Sequence, residues 1–134
     1  MKNGVELHIN NFLSIRYMSQ ELTSKDFQKK GNSYYITKAF GTGGLLVVKT
    51  EWCSFCQKLF PIIKQVSNKL GKTYPIFKLD ADKNSKLTKE LGVQGFPTIF
   101  YIERDGRISG QYTSSRDEGS ILKGICDKSL VCRK

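Results

Sequence analysis

The stretch Leu45-Leu46-Val47-Val48-Lys49-Thr50-Glu51-Trp52-Cys53-Ser54-Phe55-Cys56 decides how the rest of the chain is read. Four consecutive aliphatic side chains, preceded by Gly43 and Gly44 and followed by polar residues, are what a strand buried on both faces requires. Phe55, Leu59, Phe60, Ile62, Ile63, Val66 and Leu70 then recur at helical spacing over residues 54–70, with Gly71 as a stop and Pro61 as an internal kink. The two cysteines therefore stand between a buried strand and the first turn of a long helix. Unpaired backbone N–H groups and the positive end of the helix dipole meet there, and both favour thiolate over thiol. Two intervening residues let the sulfurs approach across one turn, so dithiol and disulfide can interconvert on one backbone. Cys53, nearer the helix end, reads as the attacking thiolate, and Cys56, one turn in, as the thiol that resolves the mixed disulfide.

On the N-terminal side, Thr23 and Asp26 read as the start of a short helix over residues 24–30 closed by Gly31, and residues 34–40 as a strand. Further strands are expected at 74–79, 98–103 and 107–112, the last two joined by Arg104-Asp105-Gly106 as a hairpin. A short helix at 85–91 and a closing helix at 117–130 complete the order. Such an alternation implies an α/β fold, a central mixed β-sheet flanked by helices on both faces. Residues 1–20 stand apart as an N-terminal extension to a domain at 21–134. In it Val5, Leu7 and Ile9 alternate before Phe12, Leu13, Ile15 and Tyr17. It reads as an arm packed on the domain or as a strand that pairs two copies into a homodimer.

Composition narrows the function. A chain of 134 residues is one domain, and four cysteines are too few for a disulfide scaffold. The formal charge of +10 comes from 17 lysines and 5 arginines against 12 acids, but the lysines are dispersed, with Lys29-Lys30 the one adjacent pair. Specific nucleic-acid binding, which wants a basic stripe and a reader motif, is not expected. No apolar run reaches the 18 residues of a membrane helix, and Asn10, Asn11, Ser14 and Arg16 interrupt any signal-peptide core, so a soluble, cytoplasmic protein is expected. A Cys-x-x-Cys pair can also be half of a zinc site, but Cys126, Cys132 and His8 make a poor second half, so no metal is expected.

These motifs resemble the thioredoxin superfamily, and within it the catalytic domains of protein disulfide isomerases, over about residues 21–130. Glu51-Trp52-Cys53 after the buried strand, Pro61 in the long helix, and Gly95-Phe96-Pro97-Thr98 after Leu91-Gly92-Val93 carry the likeness. The resemblance implies a thioredoxin fold and thiol-disulfide exchange with cysteine-containing protein substrates. It implies a cis Phe96-Pro97 bond whose neighbouring backbone receives an extended peptide, and a site shaped by Trp52, Ser54 and Phe55. Lys78 matches a lysine kept beneath the cysteines, and Arg116 a loop arginine that influences the resolving thiol. No organic cofactor is implied, because electrons travel through the sulfurs; a reductase, an oxidase or glutathione resets the pair.

The sequence also departs from the pattern. The acid expected six residues before the first cysteine is Val47, which leaves water, Glu51, or thiolate stabilisation by Lys78 or Arg116 to assist Cys56. Without that acid, Lys78 must be partly exposed or hydrogen-bonded to carbonyls. Ser54-Phe55 replaces a dipeptide that in disulfide isomerases carries a histidine, which places the potential in the reducing half of roughly −270 to −120 mV. Cys126 and Cys132 lie outside the pattern, readable as free thiols, a stabilising clip or a secondary redox relay. The rival to catalysis is a peptide-binding or chaperone module of the same fold.

Overall fold

The computed structural model describes residues 20–37 and 41–132. Among them, β1 (Glu21–Leu22), β4 (Gly44–Lys49), β5 (Ile76–Asp80), β6 (Thr98–Ile102) and β7 (Ile108–Gln111) form a sheet in the order β1-β5-β4-β6-β7. β2 (Phe27–Lys30) and β3 (Ser33–Ile36) make a separate antiparallel hairpin. β4 runs parallel to β5 and antiparallel to β6, so the sheet is mixed. Its central place explains the aliphatic run, since all six residues of β4 are buried. Leu45 and Val47 face α1 (Ser54–Leu70) and α3 (Glu118–Lys128), packing with Leu59, Ile63, Val66, Ile121 and Ile125. Leu46 and Val48 face the opposite layer, where they meet Phe77, Leu79, Phe100 and Leu87 of α2 (Ser85–Glu90). Period-2 alternation on a strand thus serves two cores at once, each buried aliphatic contributing about 1.5–3 kcal/mol.

The long helix occupies residues 54–70 as its periodicity predicts, runs through Pro61, and stops at Gly71, whose φ of 68° suits a residue without a Cβ. The hairpin turn also conforms to its sequence. Gly106 has φ 95°, and a Cβ there would stand 2.8 Å from the Ile36 carbonyl oxygen. That close approach lets the Ile36 N–H donate to Gly106 O at 2.9 Å and docks β3 onto the turn.

One expectation is overturned. Residues 24–30 are not a helix: the Thr23 and Asp26 capping box forms, but it closes a single 3-10 turn (Ser24–Asp26), after which the chain extends into β2. Gly31 acts as the turn of the β2-β3 hairpin, where Lys30 pairs Ser33, instead of as a helix stop. A seven-residue helix offers one or two turns for the cost of nucleation, whereas the hairpin pairs four residues with four and buries Ile36. The strand and helical turn expected within residues 5–17, and with them the pairing between copies, lie outside the described residues. Among the described residues no helix is long and apolar enough to cross a membrane.

Candidate active site

The C-terminal end of β4 delivers the chain to the start of α1, and Cys53 is the residue that caps that helix. Its Sγ accepts the Cys56 N–H at 3.1 Å, its carbonyl accepts the Gln57 N–H at 3.1 Å, and its own N–H reaches Thr50 O at 3.4 Å. Both cysteines are free thiols; Cys53 is 5% exposed and Cys56 fully buried. Burial pushes the Cys56 thiol up to about 11, with the hydrogen bond to Cys53 adding to the rise, while the Thr50 backbone and the Arg116 charge oppose it. Cys56 therefore holds its proton at neutral pH.

Around the pair lies an aromatic rim. Trp52 is 68% and Phe55 66% exposed, and the two are the large apolar side chains so presented among the described residues. The Trp52 indole donates to Asp82 Oδ2 at 2.9 Å and stands edge-on to half-buried Phe96 with centroids 6.0 Å apart. Lys58 Nζ lies 5.8 Å from the Phe55 ring centroid. Ser54, exposed, opens the helix between the aromatics. The Phe96–Pro97 peptide is cis, as the motif implies. Arg116 donates from Nη2 to Pro97 O at 2.7 Å, which brings the loop before α3 to the cis-proline segment. That loop is fixed by the Tyr112 hydroxyl, which donates to Ser115 O, and by Ser115 Oγ, which donates to Asp117 Oδ2 at 2.8 Å. Asp82 and Tyr112 carry no motif, and their part in the site is visible only in three dimensions.

The charged groups beneath the cysteines are arranged otherwise than expected. Val47 is fully buried and pairs in register with Lys78. Lys78 is half-buried, with Nζ 5.1 Å from the Phe60 ring centroid, the partly exposed course expected of a lysine without its acid. Glu51 does not stand ready as a spare base: its carboxylate is 2.7 Å from Lys49 Nζ, and that hydrogen bond and charge hold it below the usual carboxylate range. Lys49, which no motif singles out, is 4% exposed and also lies 3.4 Å from both Glu21 and Asp80. Burial would lower the ammonium, but Glu51, Glu21 and Asp80 outweigh it and raise its pKa. Asp80, 1% exposed, would be raised by burial, yet the Lys83 and Asp82 N–H groups and Lys49 keep it below the usual range. In register terms the ion pair sits at Lys49 and Asp80, one pleat along from Val47 and Lys78 on the same face of the sheet. In this pair the lysine is on β4 and the acid on β5. Cys126 and Cys132 do not join the site; they form a disulfide with Cα atoms 5.3 Å apart.

The thioredoxin family model matches residues 21–127. A thioredoxin of Borreliella burgdorferi is 32% identical over 94 residues, 67% of this chain and 80% of its own length. A protein disulfide-isomerase of Schizosaccharomyces pombe is 27% identical over 103 residues, 72% of this chain but 28% of that protein. Among solved structures, human ERp44 in a zinc-bound form superposes with TM-score 0.65 at 17% identity, covering 81% of this chain and 30% of that one. A mutant thioredoxin from Halobacterium salinarum gives 0.56 at 23% identity, covering 65% and 74%. The chain belongs to the thioredoxin family and has the thioredoxin fold, and it is similar also to single domains of protein disulfide-isomerases.

Proposed function

We propose that the protein is a thiol-disulfide oxidoreductase of protein substrates. Cys53 as thiolate attacks a substrate disulfide, one substrate sulfur leaves with the electron pair, and Cys56 then attacks Cys53 Sγ to release the second and leave the pair oxidised. The observation that carries this reading is the placement of Cys53 Sγ at the first turn of α1, over the Cys56 N–H, with the cis Phe96–Pro97 segment alongside. A peptide extended beside Phe96 and Pro97 would add as a strand, with its apolar side chains against Trp52 and Phe55. Arg116 and Lys78 supply positive charge toward thiolate formation. Resolution is slow, because burial holds the proton on Cys56 and Val47 stands where the resemblance places an acid. A reductase or glutathione returns the pair to the dithiol, in a reducing compartment such as the cytoplasm.

Reduction of insulin disulfides in the presence of dithiothreitol tests this. Catalysis by the full chain that is lost in Cys53→Ser, with a trapped mixed disulfide in Cys56→Ser, is the expected result. The buried Val47 and the raised Cys56 thiol favour one rival, a peptide-binding module without turnover. That rival would show cysteine-independent peptide binding and no insulin reduction.

A further inference from the structure

The Cys126–Cys132 disulfide is a second pair of bonded or bondable sulfurs, set at the other end of β4 from Cys53 and Cys56. Ser129, between the two cysteines, donates from Oγ to Thr42 O at 3.1 Å, and Thr42 precedes β4, whereas Cys53 comes after it. A six-residue strand separates the two sites by roughly 20 Å. Bridged cysteines need Cα atoms within about 7 Å. Exchange between the two pairs inside one folded chain is thereby excluded, and the relay read from the sequence cannot be intramolecular.

Two observations argue that this bond is chemically addressable. Cys126 is exposed on α3, while Cys132 is half-buried in the turn Leu130–Cys132, so an incoming thiolate meets Cys126 first. The tail is held without the bond: the Ser129 N–H donates to Ile125 O at 2.8 Å, the Val131 N–H to Ser129 Oγ at 3.3 Å, and Val131 packs on the α1 and α3 core.

We propose that the Cys126–Cys132 disulfide is a substrate, in trans, of Cys53 from a second copy of this chain. This rests on the proposed nucleophilic role of Cys53. The Cys53 thiolate bonds to Cys126 Sγ, the Cys126–Cys132 bond breaks, and Cys132 leaves with the electron pair. Cys56, losing its proton to solvent, then attacks Cys53 Sγ and expels Cys126 as a thiolate. One copy ends with Cys53 and Cys56 oxidised, the other with Cys126 and Cys132 as a dithiol, which is a transfer of two electrons. The C-terminal pair thus serves as a carrier that one copy charges and that can pass its electrons on to a disulfide out of reach of the aromatic rim.

The test mixes a reduced donor, Cys126→Ser with Cys132→Ser, and an oxidised acceptor, Cys53→Ser with Cys56→Ser, and counts thiols on each by alkylation and mass. Two thiols should pass from donor to acceptor, and none when the donor also carries Cys53→Ser. Two copies that each carry a formal charge of +10 repel one another, so the transfer should quicken as salt rises. In the otherwise unaltered chain, Cys56→Ser alone should give a covalent dimer joined through Cys53 and Cys126. A donor that reduces insulin but leaves the acceptor oxidised overturns this inference and spares the proposed function. A donor that reduces neither overturns both, and transfer that persists without Cys53 overturns the trans route.

Discussion

Val47 is the residue at which this chain parts from the chemistry its cysteines suggest. It is fully buried in register with Lys78, at the position where the resemblance places an acid, while burial and the hydrogen bond to Cys53 hold the Cys56 thiol near 11. In the dithiol at pH 7 the Cys56 anion is then about one part in ten thousand; burial persists in a Cys53 mixed disulfide, so its resolution should quicken with rising pH, by up to about tenfold per unit, through pH 9. The decay of a glutathione mixed disulfide, monitored from pH 6 to 9, reads this slope. Val47→Asp should flatten it and raise the rate at pH 7, with Lys78 next to the new carboxylate to pair with it. Desolvation of the added polar group should cost about 1–3 kcal/mol of stability, seen in urea unfolding. An unchanged pH slope in a folded Val47→Asp protein would show that the acid is not what resolution lacks.

At the scale of elements, Lys49 ties three strands together: it sits on β4, faces Asp80 of β5 and reaches Glu21 of β1. Lys49→Met leaves the Asp80 carboxylate buried without a cation, which should cost about 3–5 kcal/mol. Adding Asp80→Asn should restore most of that, because the amide oxygen still accepts the Asp82 and Lys83 N–H groups while the buried charge is gone. The start of α3 gives a pH-dependent counterpart. Asp117 accepts the Ser120 N–H at 2.8 Å, and this bond, with the Ser120 and Ser115 hydroxyls, lowers its pKa to about 2. A carboxylate depressed on folding contributes stability in full above its unfolded pKa of about 4, and that share is lost as pH falls from there to about 2. Melting temperature should thus fall less steeply over that window in Asp117→Asn than in the unaltered chain. Elements such as α1 were legible because their signals are local: apolar spacing, Cys53 at the start and Gly71 at the end. The β2-β3 hairpin was not, because the Thr23 and Asp26 capping box is real but governs one turn, and only pairing with β3 makes residues 27–30 a strand. Lys49 and Asp80 were hidden for a related reason, since strand register, which sequence does not display, brings them together.

Across the whole molecule, the charge of +10 divides according to what the acids are occupied with. Near the cysteines, Glu51 and Asp80 are engaged by Lys49, and Asp82 by the Trp52 indole, while Lys58 and Arg116 face the rim with Phe55 and Pro97. Counted on these residues the rim is balanced, three acids against Lys49, Lys58 and Arg116, so the excess positive charge that a partner meets is that of the whole chain. Such a charge raises the encounter rate of an acidic partner and is screened beyond a Debye length of about 10 Å at 0.1 M salt. Two disulfide peptides matched except for charge separate steering from chemistry. The second-order rate for the acidic peptide should fall about tenfold between 0.02 and 0.5 M salt, and that for the neutral peptide should stay nearly constant. Exchange between two copies should move in the opposite direction, because there both partners are cationic. Equal salt dependence for all three reactions would mean that the charge serves solubility and leaves partner choice to Trp52, Phe55 and the cis-proline segment.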